Sequence, residues 1–249
     1  MTDHYAPRRY EVRHRTTYTY SDDVTAAYER GMMALRDTPS QSVVSSALEV
    51  TPEPDALSSH VDLHGNHSVY IEVRSPHTKL ELWRRSIVDV AWPLPDVERL
   101  NSWTVAQAAS TIAEEADPVD LAEYTLPSDL VELGPRVHEY ALGWMPPDKA
   151  FGDAVVDLTR GIFRDFKYRQ GATSVRTTLP ELLDLRAGVC QDFAHLAVGC
   201  LRTLGLPARY VSGYVETSPP PGQEKLEGSD ASHAWASVLT PGGVWVDLD

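Results

Sequence analysis

Hydrophobic and polar residues alternate along most of the first 90 positions of the chain. Between Tyr10 and Tyr20, aromatic and β-branched side chains fall at every second position, as they do on a half-buried strand. The run from Val61 to Val73 holds two alternating stretches around His64-Gly65-Asn66, and this predicts a hairpin because Gly and Asn tolerate positive φ. A turn is expected at 21–23, and further strands over 26–35, 47–51 and 79–90. We therefore predict an antiparallel β module over residues 1–95.

The pattern becomes helical after a connector at 92–103 that contains two prolines. Apolar residues spaced three and four apart predict helices over 104–115, 131–142, 149–163, 179–185 and 190–204. Asn101 or Ser102 is the expected cap of the first of these helices, and 117–127 is expected to be a loop. Three closing strands are predicted at 208–215, 232–239 and 244–249, with a loop over 216–229. Residues 96–249 thus form a second predicted domain, and the fold class is α+β.

The helix that is predicted to begin at Cys190 carries the clearest apolar stripe of the chain. Gly188 precedes the helix in a turn, and Gly205 and Pro207 end it. The apolar positions recur with the helical period and predict a face packed on a core: Phe193, Leu196, Ala197, Cys200, Leu201 and Leu204. Cys190 stands outside this stripe, at the first position of the helix.

The first backbone N–H groups of a helix are unpaired and carry partial positive charge. A thiolate at such a position is stabilised, so Cys190 is a candidate nucleophile near neutral pH. The same N–H groups can stabilise an oxyanion that develops on a bound carbonyl. The alternative is that Cys190 is a small buried hydrophobe, as many free cysteines are, and the helix by itself does not decide between them.

Two histidines are candidate bases for Cys190. His195 lies five positions along the same helix and points about 140° away from the thiol, so it is expected to be a packing residue. His233 lies on a predicted strand that can face the start of the helix. The following hairpin returns Asp247 and Asp249 as partners for the imidazole, and strand alternation cannot choose between them because they share a face. The alternative is a buried thiol with a surface histidine and two solvated aspartates.

Composition limits the class of protein. The chain has 249 residues and a formal net charge of −14, which argues against non-specific binding to nucleic acid or to anionic membranes. No apolar run approaches the roughly 20 residues of a membrane span, and the N-terminus has no hydrophobic signal core, so a cytoplasmic location is expected. Cys190 and Cys200 would lie roughly 15 Å apart on one helix, too far for a disulfide.

Three ordered motifs resemble those of bacterial transglutaminase-like proteins. They are residues 186–196 (RAGVCQDFAHL), residues 205–214 (GLPARYVSGY) and residues 231–235 (ASHAW). The first 90 residues are similar to the β-rich N-terminal region that precedes the catalytic domain in this family. The resemblance covers most of the chain and implies a papain-like, transglutaminase-like cysteine catalytic core, in which helices pack on an antiparallel sheet.

The resemblance also implies site residues and a reaction. Cys190 matches the nucleophile, His233 matches the general base, and Asp249 matches the acid because it lies four residues after Trp245. The implied chemistry is acyl transfer through a thioester on a peptide or protein amide, with water or an amine as acceptor. It requires no metal and no cofactor. The second donor of the oxyanion hole is not identifiable from the sequence.

Two other functions remain open at this stage. The sequence ends at Asp249, whereas family members continue. One alternative is therefore a binding module whose catalytic site is weakened or inactive because the domain is truncated. A zinc site formed by Cys190, His233 and an aspartate is the other, disfavoured because a single cysteine with distant ligands is atypical of zinc sites. The histidines of the first 90 residues show no metal-ligand spacing: His14, His60, His64, His67 and His77.

Overall fold

The described residues form two units, each with its own core. The structure, a computed structural model, describes residues 6–91, 95–216 and 232–249. Internal contacts divide the chain into a first unit of residues 1–94 and a second unit of residues 95–249. The described part of the first unit contains strands and turns, whereas the second combines helices with a sheet. The predicted α+β class is confirmed.

The described residues of the first unit form two antiparallel sheets of three strands each. Their orders are β1-β6-β3 and β2-β5-β4, with strands β1 (Arg8–Val24), β2 (Ala27–Gly31), β3 (Gln41–Thr51), β4 (Ala56–Val61), β5 (His67–Val73) and β6 (His77–Val90). The predicted hairpin is the β4–β5 pair, and Gly65 in its turn has a φ of 79°. Alternate apolar residues form the core of this unit: Ala27, Ile71, Val73, Leu80 and Leu82. The predicted antiparallel β module is confirmed.

The second unit surrounds one central helix. In chain order its helices are α1 (Val97–Leu100), α2 (Val105–Glu115), α3 (Pro118–Thr125), α4 (Pro135–Trp144), α5 (Phe151–Asp165), α6 (Leu179–Leu185) and α7 (Cys190–Thr203). Helix α7 contacts α3, α4, α5 and α6. Its predicted stripe is buried at Leu196, Cys200 and Leu201, and Gly205 with φ 77° follows its end. No helix in the described ranges is long and apolar enough to cross a membrane.

Among the described residues, one small sheet lies directly before the start of α7 and another packs against its side. The strands β7 (Lys167–Tyr168) and β8 (Ala187–Gly188) pair in parallel immediately ahead of Cys190. The strands β9 (Ala208–Tyr214), β10 (Ser232–Leu239) and β11 (Trp245–Leu248) form an antiparallel sheet with β10 in the centre. Helix α7 packs against β9 and β10. The sheet therefore brings the His233 strand beside the Cys190 helix.

Three local predictions are wrong. The predicted loop at 117–127 contains α3, because the Asp117 carboxylate caps its first turn by accepting the Val119 N–H at 2.8 Å and Pro118 takes the first helical position. Helix α2 is capped by Thr104, and neither Asn101 nor Ser102 has this role. The predicted turn at 21–23 lies within β1, which continues past an irregularity in its pairing. The predicted loop over 216–229 falls almost entirely outside the described residues.

Candidate active site

Cys190 is the first residue of α7, as predicted, and its side chain is partly exposed. The turn before it is fixed by Asp192, which is buried and accepts the Val189 N–H at 2.8 Å and the Thr173 hydroxyl at 2.6 Å. Gly188 leaves room for this carboxylate, since a Cβ at position 188 would lie 2.7 Å from Asp192 Oδ2. The cysteine is thus presented at the helix start by a tightly packed turn.

Two tyrosines lie close to Cys190. Burial raises the pKa of Tyr168, and the charge of the Cys190 thiol and a hydrogen bond with it act in the same direction. A contribution from the Cys190 backbone N–H opposes this rise in the pKa of Tyr168. Burial raises the pKa of Tyr210, with smaller contributions from the charges of Cys190 and Asp192. The thiol therefore interacts electrostatically with two tyrosines on separate strands, Tyr168 on β7 and Tyr210 on β9.

His233 and Asp249 are joined directly. The distance from His233 Nε2 to Asp249 Oδ2 is 2.8 Å, and the His233 side chain is 23% exposed. Because Ala236 pairs with Leu248, positions 233 and 249 fall on one face of the β10–β11 pair. Asp247 pairs with Ser237, one step further along the same face. The contact thus distinguishes the two aspartates that alternation left equivalent.

The other candidate residues behave as packing groups. The His195 ring lies against Tyr210 with centroids 4.9 Å apart, as expected for a residue that packs α7 on the sheet. Burial lowers the pKa of His195, and the charge of Asp192 opposes this shift. Cys200 is completely buried, and this burial raises the pKa of its thiol far above the ordinary value. Neither His195 nor Cys200 is presented as a reactive group.

The structure joins His233 to Asp249 and places α7 against β10, but no hydrogen bond between the Cys190 thiol and the His233 ring occurs among the described residues. Their pairing stays a prediction. Catalytic hydrogen bonds are often long before a substrate binds. Within the same ranges, no group of three or more His, Cys, Asp or Glu side chains could hold a metal ion, so the zinc alternative has no support.

Sequence reasoning did not identify Tyr168 and Asp192 as parts of this site. Tyr168 lies on a two-residue strand, which is too short to show a period, and it reaches Cys190 through the β7–β8 pairing. Asp192 follows Cys190 by two positions, and the capping preference for acidic residues in the first helical turn was the available signal. Both residues belong to the surroundings of the thiol.

Comparisons with known proteins find relatives for both units of the chain. Residues 140–249 match the Transglutaminase-like superfamily, and residues 10–89 match the Bacterial transglutaminase-like N-terminal region. An uncharacterized protein of Mycobacterium bovis is 43% identical over 238 residues, which are 94% of this chain and 74% of that protein. An uncharacterized protein of Mycobacterium leprae is 31% identical over 244 residues, covering 95% of this chain and 81% of the relative.

A solved structure shares the fold of both units. It is a candidate cysteine protease from Cytophaga hutchinsonii, with a TM-score of 0.76, 20% sequence identity, and coverage of 98% of this chain and 78% of that chain. At this identity the likeness concerns the fold. Together with the family matches, it confirms the predicted papain-like, transglutaminase-like core preceded by a β module.

Proposed function

Because the chain belongs to the transglutaminase-like superfamily, we propose that it is a cysteine-dependent acyl-transfer enzyme acting on peptide or isopeptide amide bonds through a thioester. The matches support a cysteine-enzyme-like function at a coarse level. The observation that carries the specific chemistry is the 2.8 Å hydrogen bond between His233 and Asp249, on the sheet against which the Cys190 helix packs.

The two ring nitrogens of His233 have different roles in the first step. Asp249 accepts from Nε2–H and fixes the tautomer, so the Nδ1 lone pair takes the proton of the Cys190 thiol. The sulfur then attacks the amide carbonyl carbon and forms a C–S bond. As the C–N bond breaks, the departing amine takes the proton from His233, and the acyl group remains on Cys190 as a thioester. The Cys190 backbone N–H supports the oxyanion during this step.

The second step returns the free thiol. His233 removes a proton from the acceptor, which attacks the thioester carbon, and the C–S bond breaks as the sulfur leaves and regains its proton. Water as the acceptor gives a carboxylic acid and makes the protein a protease, amidase or deamidase. A primary amine gives a new amide and makes the protein a transamidase. The same three residues serve both outcomes, so the acceptor decides between them.

Iodoacetamide labelling across pH tests the nucleophile. An ordinary thiol with a pKa of about 8.5 loses roughly tenfold in reactivity for each pH unit below that value. We expect Cys190 to remain reactive at pH 6 in the native protein, and His233→Ala to restore the steep decline. His195→Ala is the matched control, since this histidine lies on the same helix and packs on Tyr210. A steep decline already present in the native protein would contradict the proposed function.

A peptide assay then identifies the acceptor. Casein is incubated with the protein in the presence and absence of a dansylated primary amine, and the products are analysed by mass spectrometry. New peptide ends or deamidated side chains indicate hydrolysis, whereas incorporated dansyl groups indicate transamidation. Cys190→Ala should abolish either product. Products that persist in this variant would show that Cys190 is not the nucleophile.

A further inference from the structure

Tyr168 lies on the strand that pairs with the residues leading into Cys190. In the proposed reaction, the carbonyl carbon approaches the Cys190 thiol and the carbonyl oxygen approaches the Cys190 backbone N–H. The same two groups of Cys190 influence the pKa of Tyr168. The backbone supports this placement, because Tyr168 pairs with Gly188 and the Arg169 N–H donates to the Gly188 carbonyl at 2.8 Å. Tyr168 is therefore anchored beside Gly188, which lies two residues ahead of the nucleophile.

We propose that Tyr168 is a catalytic residue whose hydroxyl is the second donor of the oxyanion hole. This inference rests on the proposed function. In the free protein the hydroxyl occupies the position that the carbonyl oxygen takes when substrate binds. When the oxygen enters, the hydroxyl moves aside and donates its proton in a hydrogen bond to the developing oxyanion, while the Cys190 N–H donates from the other side.

The Tyr168 ring is supported on one side by other aromatic rings and is exposed on the other. The residue is 61% exposed, and its ring meets Phe193 edge-on with centroids 6.3 Å apart. The row of rings continues beyond Phe193. The Phe193 and Phe166 centroids lie 5.8 Å apart, and the Phe166 and Tyr140 centroids lie 5.9 Å apart. The Arg186 guanidinium covers this row, 5.1 Å from the Phe166 centroid and 5.5 Å from that of Tyr140. The row fixes the direction of the ring, and the exposed side leaves space for a small shift.

The protonation state of Tyr168 suits a donor. Burial and the neighbouring Cys190 thiol keep its pKa above the ordinary tyrosine value. The hydroxyl therefore retains its proton near neutral pH. A negative charge on the thiolate or on the oxyanion strengthens the preference for the protonated phenol.

Comparing acylation with alkylation tests this role. Acylation of Cys190 by p-nitrophenyl acetate passes through a tetrahedral oxyanion and releases p-nitrophenolate, whereas alkylation by iodoacetamide is a direct displacement that forms no oxyanion. We expect Tyr168→Phe to slow the acylation burst by about 10- to 100-fold, as loss of one oxyanion donor does elsewhere. The rate of alkylation should change by less than about threefold, because the thiol and His233 remain in place.

Tyr210→Phe is the matched control, because it removes a second phenol whose charge interaction with Cys190 includes no hydrogen bond. It should leave both rates within about threefold of the native protein. If Tyr168→Phe slows acylation and alkylation equally, or slows neither, Tyr168 is not an oxyanion donor. If the native protein itself shows no burst that depends on Cys190, the proposed function fails, a result distinct from a native burst that Tyr168→Phe leaves unchanged.

Discussion

At the scale of single residues, the contact with His233 distinguishes Asp249 from Asp247 as the candidate acid. Asp247 lies on the same face of β11 but pairs in register with Ser237. The two aspartates therefore form a natural pair of test and control, because they share a charge and exposure to solvent and lie two residues apart at the end of β11. They differ in one contact, the hydrogen bond of Asp249 with His233 Nε2.

We predict that Asp249→Ala lowers turnover strongly and that Asp247→Ala does not. Loss of the orienting carboxylate leaves the His233 tautomer and ring direction unfixed, which should reduce kcat/KM for casein cleavage or amine incorporation by at least about 10²-fold. Asp247→Ala should change kcat/KM by less than about twofold, as expected for an exposed side chain away from the reacting atoms. A larger loss in the Asp247 variant would move the role of the acid to that residue.

His195 should make the stability of the second unit sensitive to acid. Burial lowers its pKa below the ordinary histidine value, so protonation is less favourable in the folded chain than in the unfolded one. Its contribution is fully present above about pH 6.5 and is lost as the pH falls below that value towards the folded pKa. His195→Gln, which does not titrate, should flatten the decline of the free energy of unfolding between about pH 7 and pH 5. Urea unfolding at several pH values measures this, and an unchanged slope would contradict it.

The site residues were predictable from the sequence to different extents. Cys190 was marked by a helix start and His233 by an alternating strand. Asp249 was selected over Asp247 through its spacing from Trp245 in the family motif, because alternation alone left the two equivalent. Tyr168 could not be found, since its approach to Cys190 depends on a parallel pairing between two-residue strands that are separated by a loop and a helix.

At the scale of elements, the turn before α7 determines how Cys190 is presented. Asp192 connects this turn to Thr173 in the preceding loop and to the Val189 N–H. Both bonds require the carboxylate to lie directly against Gly188, whose missing side chain leaves the space. The turn, the loop and the first turn of α7 therefore share one buried carboxylate.

Gly188→Ala should loosen this arrangement. The new Cβ would lie 2.7 Å from Asp192 Oδ2 and 3.0 Å from its Cβ, so the carboxylate must move and its two hydrogen bonds weaken. We expect a loss of about 1–3 kcal/mol in the free energy of unfolding, measured in urea, and slower labelling of Cys190. Gly143→Ala in α4 is the control, because a Cβ there meets nothing within 4 Å and should be neutral or stabilising by up to about 1 kcal/mol. Equal stability of the two variants would refute the steric argument.

Strong periodicity made most elements predictable, and local chemistry explains the failures. The α7 stripe and the hairpin around Gly65 were found because each combines a clear period with an ending glycine. The loop expected at 117–127 contains helix α3, because Asp117 and Pro118, residue types that are common in loops, are also the residues that begin a helix. A single sequence does not distinguish these uses of Asp-Pro, since the packing of the apolar side decides.

At the scale of the whole molecule, the two units differ in the size of their cores. Among the described residues, the core cluster of the second unit contains 29 buried residues drawn from its helices, its three-stranded sheet and their connections. The cluster of the first unit contains five. Small cores contribute little stability on their own, whereas a core of the larger size supports independent folding. The proposed site residues lie within the second unit.

We therefore predict that residues 95–249 fold and react without the first unit. A fragment of these residues should unfold cooperatively in urea, and its Cys190 should label with iodoacetamide at pH 6 within about threefold of the full-length rate, because Tyr168, Asp192, His233 and Asp249 are all retained. A fragment of residues 1–94 should unfold at a lower urea concentration, because fewer buried side chains support it. If the larger fragment lacks a cooperative transition, its core is insufficient alone. If it folds but its Cys190 labels slowly, the first unit contributes to the reactivity of the thiol.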